Sequence, residues 1–489
     1  MKRLIVIIFI IFGAFLTLCL YRTYAYDTSV VEEVPSTTDL EYTFKIGNSS
    51  IKQITVDSGE TKYYDIVLGN PNNAKISYSV YYEMVSPSTK PDDYKIEYTS
   101  KSTGDSTGIV NNNGNITLNI VVTNTSSSAV TVKIGTVAGY VKGGELVLSS
   151  GQVVIPKLTA SKFIMSLDDG STGDSGSGVY KVTHSAIPAS SSATGSEIPA
   201  VTDYRYYGLS PNNYICLDME GGSTCPDKHL YRIIGSIYEE KENTNRIKVI
   251  KATPLTDGTT KGFSWDYKVN NGKGSYDNIW ATITSGNYSN SLTSGSQLMK
   301  LLNSGAWWNG TSGIYYNDST TATNVNFTNY KLSDKAKSYI TTSRYYLGGN
   351  NTADVATTAM YRYERGTARY DTSRPLYWDG YVGLMYLSDF GYAAGNMCAK
   401  VNLYSYNVKC SNKDWLWMTT NSDYTNGYER LMSPSSNNSR YVSFVSSSGS
   451  VDISIYSGYV LSVRPVFYLS SSASITNGDG SLNNPYLIT

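Results

Sequence analysis

Four cysteines in two close pairs, Cys216 with Cys225 and Cys398 with Cys410, are the side chains of this sequence best placed for covalent chemistry. A fifth, Cys19, lies inside an apolar leader. An even number of cysteines downstream of an export leader reads as a disulfide framework closed in an oxidising compartment. Local pairing would close two short loops, each link stabilising by about 2–3 kcal/mol. Four cysteines nevertheless allow three connectivities.

Other reactive patterns are sparse. The sequence has no HExxH, GxSxG, phosphate-cradling glycine loop or CxxC. Gly173-Asp174-Ser175-Gly176 matches the tetrapeptide around the nucleophile of chymotrypsin-like proteases, but both histidines, His184 and His229, follow it, the reverse of that order. Each histidine reads as a surface or hydrogen-bonded residue. Asp379, Asp389, Glu364 and Glu429 are conceivable carboxylates for glycoside hydrolysis, a chemistry whose pairs meet only in space. Asn477-Gly478-Asp479-Gly480 reads as a turn, with too few carboxylates for calcium. No cofactor or metal is implied. For binding, the best candidates are Trp307-Trp308-Asn309 beside Gly310, then Tyr377-Trp378-Asp379. Exposed aromatic rings stack on apolar sugar faces while neighbouring amides and carboxylates bond hydroxyls.

The elements that must position these groups fall into several segments. Lys2 and Arg3 precede an apolar run, Leu4 to Leu20, and Thr23 and Ala25 make a small-x-small site. Residues 1–25 therefore read as a signal peptide, with an uncleaved membrane anchor as the rival. Residues 26–40 read as a stalk. From 41 to 156 the pattern is all strand: Thr61 to Leu68, Ile76 to Glu83, Ile116 to Thr123 and Val130 to Ala138, separated by Asn/Gly/Pro turns. That suits an immunoglobulin-like β-sandwich without a Cys-Trp-Cys pin. Residues 157–200, Gly/Ser/Asp-rich, read as a flexible linker. From 201 to 489 the character is mixed. Strands are expected at Leu230 to Ile237 and Arg246 to Lys251. Helices are expected at Ser296 to Asn303 and at Asp334 to Ile340, the latter capped by Ser333.

Composition excludes some partners. Of 489 residues, 40 are basic and 40 acidic, and no basic patch stands out, so nucleic acid and anionic membrane surfaces are poor candidates. The membrane is reached only if the leader stays uncleaved. Charged residues make up only 16% of the chain, so Ser, Thr, Asn, Gly and 44 tyrosines must carry its solubility, the style of an extracellular β-rich protein.

The C-terminal half carries recognisable phrases: Asp414-Trp415-Leu416-Trp417-Met418, then Gly449-Ser450-Val451, then Gly458 through Val463-Arg464-Pro465-Val466-Phe467-Tyr468-Leu469. They resemble a Gram-positive bacterial surface-protein family of unknown function whose domain reads WWLRSP…GVRPALWL. Gly383 to Tyr392 and Gly478 to Tyr486 look like further phrases of such proteins. The resemblance covers roughly residues 201–489, and this chain departs from it by lacking RSP after the tryptophans. It implies an α+β C-type-lectin-like fold, shared with formylglycine-generating enzymes, at a surface location. It implies no reaction, because the four exported cysteines are better spent on bridges than on oxidase chemistry. Arg464, set among apolar residues, needs a carboxylate or backbone carbonyl partner.

The expectation is thus a multidomain protein: an all-β immunoglobulin-like sandwich followed by an α+β C-type-lectin-like domain with two disulfides. It would be exported through the general secretory route to the cell surface. Its expected work is non-enzymatic recognition, either adhesion or binding of an extracellular glycan or protein ligand. The alternative is a structural subunit of a surface layer or fibre, self-associating through the sandwich. A lesser alternative is an extracellular enzyme such as a glycoside hydrolase.

Overall fold

The computed structural model describes residues 43–46, 53–88, 91, 93–99, 102–140, 146–270, 273–275, 277–284, 287–288, 291–317, 322–418 and 423–489. The expected signal peptide and stalk, residues 1–40, lie outside them. The chain is mostly β-sheet, largely antiparallel, with few and short helices. It divides into two units, Met1–Lys157 and Leu158–Thr489.

The first unit contains two antiparallel sheets. One orders β1 (Thr43–Ile46), β3 (Thr61–Gly69), β7 (Asn115–Asn124) and β5 (Tyr94–Tyr98) as β1-β3-β7-β5. The other orders β2 (Gln53–Val56), β8 (Val130–Tyr140), β4 (Ile76–Ser86) and β6 (Thr107–Val110) as β2-β8-β4-β6, with β9 (Gln152–Val154) also on β4. Successive side chains of a strand face opposite ways. In β7 this buries Ile116, Leu118, Ile120 and Val122 while their neighbours stay partly exposed. Together with Val130, Val132 and Ile134 of β8 they form one apolar cluster spanning both sheets. Two buried amides close the ends. Asn124 Nδ2 donates to the carbonyls of Val56 (2.9 Å) and Ser128 (2.8 Å), and Asn70 Nδ2 donates to that of Ala74 (2.8 Å).

The second unit is built on a nine-stranded sheet. Its main path runs Val382–Gly383, Val466–Tyr468, β14 (Thr244–Lys251), β13 (Leu230–Glu239), β12 (Tyr214–Cys216), Tyr486–Ile488 and Ile475–Asn477. Off that path, β11 (Val201–Tyr207) pairs with β13, and β10 (Gly178–His184) pairs with β11 over seven residues. Pairing is antiparallel except between β12 and Tyr486–Ile488. β13 is buried along nearly its whole length, as befits a strand covered on both faces. Two bulk-free positions permit this. At Gly235, beside the β13 bulge, an added Cβ would meet the Tyr204 carbonyl oxygen at 2.3 Å. At Gly383 it would meet the Tyr345 ring at 2.6 Å.

The expected linker over 157–200 is overturned. Residues from 158 onward belong to the second unit. A helix at Ala160–Met165 is capped by the Thr159 hydroxyl, and Gly178–His184 is a strand of the main sheet. Val179, Tyr180 and His184 are buried there. The physical reason is that only a few apolar side chains are needed to seat a sheet strand, and the surrounding Ser, Gly and Asp merely make its turns. In the Gly173–Gly176 turn, the Ser175 carbonyl accepts from Tyr207 OH (3.1 Å) and Asp174 Oδ1 accepts from the Met397 amide (3.0 Å).

Both expected helices form, Gln297–Asn303 behind the Ser296 cap and a shorter Asp334–Ser338 behind Ser333. Among the described residues no helix is long and apolar enough to cross a membrane. Replacing Gly235 by alanine forces a methyl group into backbone, so Gly235→Ala should destabilise the second unit by about 1–3 kcal/mol. Urea denaturation followed by tryptophan fluorescence checks this, because all seven tryptophans lie beyond residue 264. An unchanged midpoint would show that β11 yields freely.

Candidate functional site

The cysteines form two local disulfides, Cys216–Cys225 and Cys398–Cys410, with Cα–Cα distances of 5.8 and 5.7 Å. The first anchors the end of β12. Its loop turns through left-handed Glu220 (φ 47°) and Gly221 (φ 77°). Glu220 reaches back to buried His229, whose Nε2 lies 3.1 Å from Glu220 Oε1. The second joins two short helices, Asn396–Ala399 and Tyr406–Lys409, rather than a hairpin.

A cleft of about 810 Å³ opens beside the Gln297–Asn303 helix. Ser296 Oγ accepts the Met299 amide (3.1 Å) and starts the helix. Leu298, Met299, Leu301 and Leu302 face the core, which leaves Gln297 and Lys300 toward the opening. Gly310, at φ +66°, ends the following Ala306–Asn309 turn. The opposite wall is the hairpin Ser312–Tyr316 with Ala322–Asn326. Gln297 ties the walls together: its Oε1 accepts the Tyr316 amide (3.1 Å) and its Nε2 donates to the Tyr267 carbonyl (2.7 Å). Asp266 is buried, and its Oδ1 accepts the Gln297 amide (3.2 Å). Tyr315 is buried too, donating its hydroxyl to the Ser264 carbonyl. Asn309 is exposed and donates Nδ2 to the Ser304 carbonyl (2.6 Å). The result is a recess of mixed polar and apolar lining that includes Tyr267, Tyr315 and Tyr316, of a size that suits a small ligand.

Of the residues singled out for binding, only Asn309 lines this cleft. Trp307 is 1% exposed. Trp308 is half-buried, stacked on Tyr381 with ring centroids 5.0 Å apart, and Lys337 Nζ lies 5.4 Å from its centroid. The two rings lie 6.4 Å apart but tilted by 57°, and with Trp307 buried they make no shared exposed platform. In the Tyr377–Gly380 strand, alternation sends Trp378 fully inward against Trp280 and Tyr345. Tyr377 lies under the Arg344 guanidinium at 4.3 Å, and Asp379 takes that arginine's Nε at 3.0 Å. An exposed aromatic pair at either position is therefore corrected to packing.

The four carboxylates considered for hydrolysis are likewise engaged. Asp389 accepts from Arg205 Nη1 (3.0 Å) and Lys248 Nζ (2.5 Å). Arg205 also holds Asp203 (2.7 Å), which His184 Nε2 approaches at 2.9 Å. His184 stacks on Tyr361, with centroids 3.7 Å apart, so it is a buried sheet residue rather than a linker one. Burial would raise the Asp203 carboxyl, but Arg205 and His184 outweigh it and hold the group well below its ordinary range. Glu364 accepts from the Ser388 amide (3.1 Å) and Ser433 hydroxyl (2.9 Å), and burial pushes it upward. Arg464 forms a bidentate pair with Glu429 (2.7 and 2.9 Å) and donates to the Leu416 carbonyl (2.8 Å). Among the described residues no three His, Cys, Asp or Glu side chains gather as a metal-ligating group.

Sequence reasoning passed over the cleft and the buried charges. A capped helix with Lys300 opposite its leucines was a readable signal for the former. Lys248 between Ile247 and Val249 was one for the latter. No protein-family model matches the chain, and no curated protein or solved structure resembles it significantly.

Asp414 carries a pH consequence. Burial pushes its carboxyl up to about 8, against the Leu416 amide (2.7 Å) and Tyr406 hydroxyl (2.9 Å) donated to it. The native acid stays protonated while the unfolded one ionises near 3.8. Its contribution is therefore complete below pH 3.8 and is lost as pH rises through about 8, at up to ~1.4 kcal/mol per unit. Asp414→Asn removes that titration. Urea melts at pH 5 and pH 8 should show the variant gaining stability relative to wild type at the higher pH. A pH-independent difference would rule out a protonated Asp414.

Proposed function

We propose that this chain is an exported bacterial cell-surface protein of the non-enzymatic recognition class. On this reading its first unit is an immunoglobulin-like spacer and its second a C-type-lectin-like domain, akin to the Gram-positive surface family resembled by residues 201–489. The ligand is an extracellular glycan or protein held in the cleft between the Gln297–Asn303 helix and the Ser312–Tyr316 hairpin. The observation that carries the proposal is a contrast. The cleft presents hydroxyls, amides and tyrosine rings, whereas Asp203, Asp379, Asp389, Glu364 and Glu429 are committed to internal partners. Two disulfides support an oxidising, extracytoplasmic address.

The alternative, a surface-layer or fibre subunit, draws support from the first unit. Ile109 and Val153, on strands β6 and β9 that flank β4, are 54% and 46% exposed. Uncovered strands of that kind invite pairing between copies.

Binding of the protein to arrayed glycans and to extracellular proteins tests the first reading. Asn309→Ala should weaken a specific hit about tenfold, and Ser312→Trp, which fills the mouth, should abolish it. Trp308→Ala should leave it within about threefold. The absence of any saturable hit, together with filaments in micrographs of the purified protein, would favour the structural alternative.

A further inference from the structure

The two charged groups of the cleft differ in access. Among the described residues that line it, only Asp266 and Lys300 are ionisable as acid or ammonium. Asp266 is 3% exposed and turned to the Gln297 amide. Lys300 stands on the Gln297–Asn303 helix, half-buried, and its ammonium forms no ion pair or hydrogen bond among the described residues. A second cation, Arg430, is buried near enough to Tyr315 to interact with it electrostatically. Arg430 is 1% exposed and donates Nη2 to the Tyr459 carbonyl, while its Nε and Nη1 have no partner. Burial draws its pKa down to about 9, and proximity to Tyr315, a wall residue, opposes that shift. It therefore remains cationic at neutral pH.

The remaining groups select the ligand's body. Asn309 Oδ1 accepts nothing among the described residues once Nδ2 is bound to Ser304, and Thr311 and Ser312 are exposed at the rim. Tyr267 and Tyr316 supply partly exposed rings. Hydroxyl-matching groups, flat rings and an accessible ammonium, with the cleft's one acid buried against the Gln297 amide, describe a polyhydroxylated anion. We infer that the cleft binds an acidic saccharide, one bearing carboxylate or sulfate, with Lys300 at the anionic group and Asn309 at a ring hydroxyl. This inference rests on the recognition reading above and names its ligand class.

Titration calorimetry of the whole protein tests it, using an oligogalacturonate, the same oligomer with its carboxyls reduced, a sulfated oligosaccharide and a polyglutamate peptide. One or both acidic saccharides should bind, and carboxyl reduction should cost the oligogalacturonate at least tenfold. Lys300→Ala should lose about tenfold, Lys300→Arg should retain affinity, and Lys335→Ala should change nothing. Equal affinity for the reduced oligomer, still lost with Ser312→Trp, would overturn the acidic preference and leave glycan recognition standing. Tighter binding of polyglutamate than of either acidic saccharide would overturn the saccharide assignment. Failure of both acidic saccharides while neutral array hits persist would overturn the inference alone; failure of every array ligand as well would remove the recognition reading with it.

Discussion

Asp389 is the point on which the second unit turns. Its two oxygens neutralise Arg205 of β11 and Lys248 of β14, and the same carboxylate caps the start of the Leu387–Ala393 helix through the Tyr386 amide. Three elements distant in sequence thus share one buried counter-charge. Desolvating an ion costs several kcal/mol, and breaking such a group by removing one partner leaves an uncompensated charge inside. Tyrosine rings complete the enclosure: Lys248 Nζ lies 4.6 Å from the Tyr386 centroid, and Arg205 lies 4.8 Å from that of Tyr392. Such a cluster adds little net stability over an apolar core of equal volume. It does penalise any register of the sheet that separates its members.

Arg464 and Glu429 repeat the device at the other flank, where Arg464 also gathers the Leu416 carbonyl. Arg232 sits over the Trp415 ring at 4.3 Å and bonds Asn213. Trp415 is thus the apolar lid of a buried cation, whereas of the tryptophans expected to stack a ligand Trp307 and Trp378 are buried in the core and Trp308 lies on Tyr381. These rings are consumed internally, and tyrosines and amides face the cleft.

How much was legible beforehand follows from the range of the interactions involved. Strands β3, β4, β7 and β8 showed alternating or β-branched runs, and their bounds fall within three residues of those runs. Ser296 and Ser333 announced helices because a cap is a local hydrogen bond. Both disulfides joined nearest neighbours in sequence. What stayed hidden was non-local. β10 is short and embedded in Ser/Gly turns, so its composition resembled a tether. The exposure of Trp308 and Trp378 depended on Tyr381 and Trp280, which no local pattern places beside them. The cleft depended on the juxtaposition of Tyr267 with Tyr316 through Gln297. The arginine at 464 was readable as needing a partner, while the identity of Glu429 was not.

One pairing governs when this architecture can exist. Ile215 and Cys216 of β12 lie alongside Tyr486 and Leu487, in parallel, and the Arg246 guanidinium donates to the Leu469 carbonyl (2.8 Å). Contacts of such high sequence separation must wait for chain closure over long loops. While the polypeptide is being synthesised, the middle of the sheet leaves the ribosome long before the strand that flanks it. The second unit therefore cannot be completed from its amino-terminal side alone; until Tyr486–Ile488 arrives, β12 pairs with β13 on one side and keeps its other edge open.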